Sequence, residues 1–381
     1  MSGTATSAST MARPRAGDTR PQEHATFLRN AWYAAAWSEE VQDKPFGVTI
    51  CDRRIVLARA RDGEPVALAG ICPHRFASLD RGVLLPGDRL QCPYHGLEFA
   101  LDGRCVGNPH GPAPGSARLA HYPLVERHSL LWIWMGEEDR VDEALIPDFH
   151  LLEDRGHRTI RGRLLTGAHF ELITDNLMDL SHVGYLHKGG IGSDALKDGR
   201  HEVHQAGTTL HSNRWCPDGA AAPVWAALFG GYSKPVDHWL NMRWDAPSTM
   251  WLDVGVAPAG RPRTEGITTF GAHILTPETE RSTHYLWAAC RDFALDDDKL
   301  DIELKGAIEH AFVDEDKPMI EDVQRNMGGR SFAEMRPVIL SVDLGAVRAR
   351  QLLDELRRGR RTQLPSAEID PTSETVRGLK A

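Results

Sequence analysis

The sequence lacks a long apolar segment: no stretch approaches the roughly eighteen uninterrupted apolar residues of a membrane-spanning helix. It also lacks an excess of basic residues, with 44 Lys and Arg against 53 Asp and Glu and a formal net charge of −9. A phosphate-binding face needs clustered basic side chains. These absences predict no membrane partner and no nucleic-acid partner, and they favour a small molecule or a basic redox protein.

Cysteine is scarce and irregularly spaced. Six cysteines in 381 residues do not form the framework of a disulfide-rich secreted domain. Residues 1–24 are rich in Ser, Thr, Arg and Pro and contain no apolar core, so they do not resemble a secretory signal. We therefore expect a cytoplasmic protein with a disordered tail over 1–24 and a C-terminal tail over 362–381.

Residues 25–140 are predicted to form an all-β domain. Strand-like segments such as Val48–Ile50, Arg54–Ala58 and Leu130–Met135 are short and alternate with glycine-containing turns. Short strands between turn signals are typical of a small β module. The length of the chain leaves room for a second, larger domain.

Residues 141–361 mix helical and strand patterns. The helical patterns lie near 169–187, 295–326 and 344–358. The strand patterns lie near 207–211, 249–256, 267–276 and 283–290. This mixture predicts an α+β domain in which helices flank an antiparallel sheet.

Two pairs of metal-ligating residues lie inside the predicted β domain. Cys72 and His74 form a C-x-H pair, and after seventeen intervening residues Cys92 and His95 form a C-x-x-H pair. A Rieske [2Fe-2S] cluster needs two thiolates on one iron and two imidazoles on the other. A structural zinc site uses the same residue types. The strand-rich context, with Gly and Pro at the loop bends, favours the cluster over a small zinc finger.

A second constellation follows in the α+β domain. Asn176, Asp179 and His182 recur every three residues and would share one face of a helix, and His187 joins them if the helix ends or distorts near Gly184. Non-haem Fe(II) oxygenases bind their iron through two histidines and one carboxylate. Taken alone, these histidines could also be surface residues of a helix. Beside the cluster motif they indicate a mononuclear iron site.

The third iron ligand must be a distant carboxylate, and Asp314, Glu315 and Asp316 are adjacent candidates. Four apolar residues nearby recur at helical spacing: Phe312, Met319, Ile320 and Val323. Asp316 falls on their stripe, so we expect it inside, whereas Asp314 and Glu315 can lie in solvent. Pro318 weakens this argument because it can start a new helical turn.

The two constellations together resemble the α-subunits of Rieske non-haem iron oxygenases, and most closely the vanillate O-demethylase and dicamba monooxygenase group. The resemblance runs from about Phe27 to Leu356. It implies a homotrimer in which Asp179 bridges the cluster of one subunit and the iron of the next. Asn176 matches a position near the iron, and His273 matches a position that contacts substrate. His273 is about equally well explained as a core histidine.

The resemblance implies a terminal oxygenase that uses O2 to demethylate a methoxylated aromatic acid with release of formaldehyde. N-dealkylation or hydroxylation of another aromatic compound is the alternative, and a Rieske electron carrier is the non-enzymatic one. No G-x-G-x-x-G fingerprint follows a strand, so electrons are expected from a separate NAD(P)H-dependent reductase and possibly a ferredoxin. The polar group that binds the substrate's carboxylate in the dicamba enzyme is replaced by an apolar residue near Leu252, and its aromatic pocket residue by one near Ala307. The pocket is therefore expected to differ.

Overall fold

A computed structural model describes residues 26–359 of the chain. The tails predicted for 1–24 and 362–381 lie outside the described residues. No helix within 26–359 combines the length and the apolar character needed to cross a bilayer.

The first half of the described chain consists of short antiparallel strands, as predicted. Its strands are β1 (Trp32–Trp37), β2 (Phe46–Ile50), β3 (Arg53–Arg59), β4 (Pro65–Ala69), β5 (Val83–Leu85), β6 (Arg89–Gln91), β7 (Glu98–Ala100), β8 (Cys105–Gly107), β9 (His121–Tyr122), β10 (Leu124–Arg127) and β11 (Leu130–Trp134). They form three sheets, ordered β1-β11-β10, β2-β3-β4-β9 and β5-β6-β7-β8. Gly63, Gly87 and Gly103 have φ between 85° and 96°. These left-handed turn positions favour glycine because it has no Cβ.

The second half is built on one antiparallel sheet of seven strands. These strands are β12 (Arg158–Thr166), β13 (Arg200–Ala206), β14 (Thr209–Gly219), β15 (Val236–Asp245), β16 (Thr249–Pro258), β17 (Ile267–Thr279) and β18 (Ser282–Arg291). Their order is β12-β18-β17-β16-β15-β14-β13. The predicted α+β fold class is therefore confirmed, although the sequence analysis did not identify β12, β13 or β15 as strands.

Helices of the second half pack against this sheet. They are α1 (Phe170–Met178), α2 (Val183–Leu186), α3 (Pro223–Leu228), α4 (Asp298–Glu309), α5 (Lys317–Met327), α6 (Phe332–Met335) and α7 (Leu344–Arg357). A π-helical segment (His310–Asp316) joins α4 to α5 without a break. Arg350 of α7 fixes α1 by hydrogen bonds to both carboxylate oxygens of Asp175, the shorter at 2.6 Å.

The large sheet is buried on both faces, and each face has its own role. Side chains alternate between faces along a strand. Trp251 and Phe270 point to one face, where they pack with Trp132 and other residues of the first half. Leu252 and Gly271 belong to the opposite face, which lines an interior cavity beneath the helices.

The two halves are joined by a shared core and by direct hydrogen bonds. Thr276 Oγ1 donates to the carbonyl of Ala34 at 2.7 Å, and the amide of Cys51 donates to the carbonyl of Pro277 at 2.8 Å. Residue 140, where the sequence analysis placed the domain boundary, lies in a run of 3₁₀ turns between β11 and β12. We propose that these turns are the linker between the domains.

Candidate metal centres

Two loops of the first half carry the Cys–His pairs and share one backbone pattern. In the loop after β4, the amide of Cys72 donates to the carbonyl of Ala77 at 2.9 Å. The amide of Cys92, after β6, makes the same bond to the residue five positions later, at 2.8 Å. Phe76 and Gly96 close the two turns with φ of 59° and 71°. The loops therefore present their side chains in a nearly repeated geometry.

Four side chains converge where these loops meet. Cys72 and Cys92 are buried, and the Cys92 thiol is close enough to contribute to the raised pKa of Cys72. The rings of His74 and His95 lie edge to face with centroids 4.6 Å apart, and Nδ1 of His95 is buried without a partner among residues 26–359. Burial raises the pKa of the Cys72 thiol to about 11, a cost that thiolate binding to iron would remove. Two inner thiols and two outer imidazoles fit a [2Fe-2S] cluster.

The second set of ligands depends on a break after α1. Asp179 is extended, with φ −118° and ψ 92°, and its carboxylate accepts from the amide of Ser181 at 2.9 Å. A 3₁₀ turn ending at His182 follows, and α2 then runs to His187. The helix therefore breaks at Asp179, which was not predicted, and α2 then ends at Leu186, close to the end expected near Gly184. This break turns both histidines toward the interior.

The π-helical segment supplies the carboxylates. Asp316 is buried, as predicted, and Asp314 is exposed. The stripe used for this prediction was partly wrong, because Met319 is 52% exposed and Val323 is 43% exposed. Glu315, which the sequence allowed to lie in solvent, is only 25% exposed, and its Oε2 lies 2.7 Å from Nδ1 of His187. A π segment shifts the side-chain register relative to an α-helix, which brings two consecutive carboxylates toward the same histidine.

His182, His187 and Asp316 form a compact triad whose ligand atoms all lie within 4.8 Å of one another. Nδ1 of each histidine is engaged, that of His182 with the carbonyl of Asp179 at 2.7 Å and that of His187 with Glu315. Nε2 of each ring faces Asp316, at 3.5 Å and 3.3 Å. Histidines bound through one nitrogen and supported through the other are typical of metal sites. The triad fits a mononuclear iron ligated on one face.

The charge states of the triad reflect burial and the shared carboxylate. Burial lowers the pKa of His182, although Asp316 opposes that shift. Burial also disfavours the charged form of His187, but hydrogen bonds and charge from Asp316 and Glu315 outweigh it and raise the pKa. The carboxylates of Asp316 and Glu315 would therefore favour a protonated His187 until a metal cation takes the place of that proton.

Asn176 and Asp179 flank the triad in different ways. Nδ2 of Asn176 donates to Asp316 Oδ1 at 3.1 Å and lies 3.4 Å from Nε2 of His182. Asp179 contacts His182 through its main-chain carbonyl rather than through its carboxylate. Its carboxylate instead faces Ser181 and Arg214, with Arg214 Nη2 3.5 Å away.

A cavity of about 140 Å³ opens beside the triad. His273 lies on its sheet wall, with Nδ1 2.5 Å from the hydroxyl of Tyr285 and Nε2 buried without a partner in the described chain. Burial lowers the pKa of His273 to about 4. Leu252, expected to replace a polar group, lines the wall; Ala307 does not, although its neighbour Ile308 does.

Comparison with protein families covers both halves of the chain. The Rieske [2Fe-2S] domain matches residues 31–123, and the vanillate O-demethylase oxygenase C-terminal domain matches 166–359. The two matched regions contain the two sets of converging ligands described above. The fold and the sites thus define a Rieske-type oxygenase.

Individual relatives agree over nearly their whole length. The chain is 41% identical to the dicamba O-demethylase oxygenase component of Stenotrophomonas maltophilia over 87% of this chain and 98% of that protein. It is 39% identical to the chloroacetanilide N-alkylformylase oxygenase component of Rhizorhabdus wittichii over 86% of this chain and 95% of that protein. It superimposes on crystalline dicamba monooxygenase bound to 3,6-dichlorosalicylic acid with a TM-score of 0.83 and 40% identity, covering 88% and 98% of the two chains.

The chain therefore belongs to the vanillate O-demethylase group of Rieske-type oxygenases, as the sequence analysis predicted. It is an oxidoreductase of the monooxygenase type. Its cofactors are a Rieske [2Fe-2S] cluster and a mononuclear non-haem iron, and O2 is its co-substrate.

Proposed function

We propose that this protein is the terminal oxygenase of a multicomponent system that removes the methyl group of a methoxylated aromatic compound as formaldehyde. The observation that carries the proposal is the triad of His182, His187 and Asp316 at the wall of a largely apolar cavity. A ligand set on one face of an iron leaves its other positions open. Relatives named as dicamba and vanillate O-demethylases support the reaction.

Seven residues are assigned as ligands in this proposal. They are Cys72, His74, Cys92 and His95 for the cluster, and His182, His187 and Asp316 for the mononuclear iron. When bound, the cluster supplies single electrons and the iron supplies O2 activation next to the substrate. The convergence of each set on one point, with supporting contacts on the outer nitrogens of His182 and His187, supports the assignment.

The reaction consumes one O2, two electrons and two protons. One oxygen atom enters a C–H bond of the methoxy group and the other leaves as water. The resulting hemiacetal loses formaldehyde, which leaves a phenol. The protein's own part is to hold the methyl carbon against the triad and to exclude bulk water, which the apolar walls of the cavity favour.

Neighbouring residues hold the triad in place. Asn176 positions Asp316 through the 3.1 Å hydrogen bond from its amide. Glu315 keeps the proton of His187 on Nδ1, so that Nε2 is free to bind metal. His273 can offer Nε2 to substrate, because a tyrosine hydroxyl that donates to Nδ1 leaves the ring proton on Nε2.

Electrons are proposed to reach the cluster from a separate NAD(P)H-dependent reductase, with or without a ferredoxin, in the reducing cytoplasm. The exposed rings at the cluster loops, including those of His74, Phe76 and Tyr94, support a docking role for that tip. We further propose a homotrimer in which Asp179 links the cluster of one subunit to the iron of the next. The partly exposed carboxylate of Asp179 supports such a contact. Light scattering should give three times the chain mass.

N-dealkylation is a second candidate that one relative favours. The chloroacetanilide N-alkylformylase component is nearly as similar to this chain as the dicamba enzyme. The same C–H hydroxylation next to nitrogen gives an aldehyde and an amine or amide in place of a phenol.

A single-turnover assay tests the proposed reaction. Chemically reduced protein is mixed with O2 and a panel of methoxylated and N-alkylated aromatics, and aldehyde and aromatic product are quantified together. Formaldehyde matched by a phenol supports O-demethylation. Aldehyde matched by an amine or amide supports N-dealkylation, and a hydroxylated product without aldehyde contradicts both.

Metal analysis tests the cofactor assignment independently. A [2Fe-2S] cluster plus one iron requires three irons and two acid-labile sulfides per chain. Stoichiometric zinc at the Cys–His pairs would refute the cluster assignment.

A further inference from the structure

A buried histidine on the cavity wall has no role in the proposed chemistry so far. His238 lies on β15 and is 2% exposed. Neither Nδ1 nor Nε2 has a hydrogen-bond partner in the described part of the chain. Its nearest ring is Trp225 of α3, in edge contact at 5.6 Å, and both residues line the cavity that contains the triad.

Sheet register places His238 far from His273 along the cavity. His273 lies opposite Met250 on β16, whereas His238 lies opposite Val256 on the same strand. Six residues of strand correspond to about 20 Å at a rise of roughly 3.3 Å per residue. His273 packs against Phe312 beside the metal triad. His238 therefore lies at the end of the cavity away from His273, where Trp225 of α3 also lines the wall.

An unpartnered polar side chain at that position is costly. A buried donor or acceptor without a partner destabilises the fold, and native proteins rarely leave both nitrogens of one ring unpaired. Burial lowers the pKa of His238 to about 3, with no charged neighbour contributing to the shift. At neutral pH the ring is therefore uncharged and offers one N–H donor and one acceptor.

The charge of the cavity wall restricts the group that can meet this ring. Among the described residues that line the cavity, no lysine or arginine is present, and Asp316 is the only carboxylate. A carboxylate buried near His238 would lack a cation and would carry a large desolvation cost. An amide or ester carbonyl can accept from the ring's N–H without that cost, and a secondary amide also has an N–H that can donate to the other ring nitrogen.

We propose that His238 hydrogen-bonds to an uncharged polar group on the distal substituent of the substrate, so that the enzyme acts on neutral aromatic ethers or amides rather than on the aromatic acid expected from the sequence. The inference rests on the proposed function in taking this cavity as the substrate site. It deepens that function by assigning the distal end of the cavity to recognition of a neutral substituent. The apolar residue Leu252 on the same wall agrees with a site that does not bind a carboxylate.

The test measures binding without turnover, so that it is independent of the reaction catalysed. Probes are methoxyphenyl N-methylalkanamides of increasing chain length, the matched carboxylic acids, and matched alkyl compounds with an isobutyl group in place of the amide. Dissociation constants are measured anaerobically by calorimetry on the holoenzyme. The proteins are wild type, His238→Phe, His238→Asn and, as a control on a different strand, His204→Phe, because His204 is 55% exposed.

The best-fitting amide should bind wild type at least tenfold more tightly than its matched acid. His238→Phe should weaken that amide about tenfold, because its polar group loses a buried partner, and should not weaken the alkyl probe. His238→Asn, which keeps a donor and an acceptor, should recover part of the loss. His204→Phe should bind all probes as wild type does.

Three results would overturn the inference: acids that bind more tightly than amides, an unchanged amide affinity in His238→Phe, or an equal loss for amide and alkyl probes. Melting temperature and the visible absorption of the cluster verify that each variant is folded. Amide binding that depends on His238 in a protein that forms no phenol would uphold this inference and refute O-demethylation. Formation of a phenol together with amide affinities that do not depend on His238 would support O-demethylation and refute this inference.

Discussion

Replacing Glu315 should weaken iron binding at the triad while leaving the cluster intact. Glu315 Oε2 accepts from His187 Nδ1 at 2.7 Å. The His187 side chain is 2% exposed and that of Glu315 25% exposed, so solvent screens this contact only in part. The carboxylate fixes the ring and makes Nε2 a stronger ligand.

Two substitutions separate the charge of Glu315 from its hydrogen bond. Glu315→Gln keeps an acceptor but loses the charge, and a charge-assisted hydrogen bond is worth about 1–1.5 kcal/mol more than a neutral one. That difference corresponds to about a tenfold loss of Fe(II) affinity. Glu315→Ala leaves the Nδ1 proton of His187 unpaired in a buried site. Such a change at an outer partner typically costs up to about 100-fold.

The assay is anaerobic titration with Fe(II) after the mononuclear iron has been removed with a mild chelator. The visible absorption of the cluster serves as an internal standard. Asp314→Asn is the matched control. Asp314 precedes Glu315 in sequence, but its carboxylate is 63% exposed and contacts His310 on the outer side of the segment. Fe(II) affinities in Glu315→Ala equal to those of Asp314→Asn would refute the role assigned to Glu315.

Three further outcomes are expected. Asp316→Ala should retain the cluster spectrum but lose the mononuclear iron and all product formation, and full activity in this variant would disprove the ligand assignment. Asp179→Asn should keep both metals while single-turnover product formation becomes slower, and an unchanged rate would remove Asp179 from the electron route. Acid should destabilise the wild type through His238: its folded pKa of about 3 lies below an unfolded value near 6.5. The penalty is therefore absent at pH 7, grows as pH falls through 6.5, and reaches about 2 kcal/mol at pH 5. His238→Phe should accordingly lose less stability than wild type between pH 7 and pH 5 in denaturant titrations, and parallel losses would contradict the buried neutral state.

Most of the proposed metal ligands could be predicted from the sequence because their spacing is local. The C-x-H and C-x-x-H pairs predict two loops, and the structure gives those loops one repeated hydrogen-bond pattern. His182 and His187 were close enough in sequence to be paired. Asp316 is distant in sequence, but it was predicted as the third ligand because burying a carboxylate among apolar residues destabilises the fold unless the carboxylate is paired or binds a metal.

Strand β15 was not predicted because its residues do not alternate. All ten residues of Val236–Asp245 are buried, polar and apolar alike. Asp237 is satisfied by the amides of Asp218 and Gly260 at 2.9 Å. Such partners come from distant parts of the chain, and only the folded structure reveals them. His238 was missed for the same reason, since a histidine between Asp237 and Trp239 does not belong to an alternating pattern that would predict its burial.

The contact of Glu315 with His187 was not predicted because an uninterrupted α-helical period was assumed. The same assumption led to the wrong prediction that Met319 and Val323 lie on the buried face, whereas both are exposed. No local signal in 310–316 distinguishes a π-helical turn from an α-helical one, because hydrogen bonds five residues apart depend on packing at the site.

The π-helical segment also has a consequence for how this enzyme can change. Its wider turn allows the proposed iron ligand Asp316 and Glu315, which contacts His187, to be consecutive residues. Deleting one residue between His310 and Asp316 would restore the α-helical period and rotate both carboxylates away from the histidine by about 100°. A shortened segment would therefore lose the ligand and its support in one event, whereas substitutions on the cavity wall can accumulate one at a time. Substrate range can thus drift across descendants of this protein while the length of this segment stays fixed.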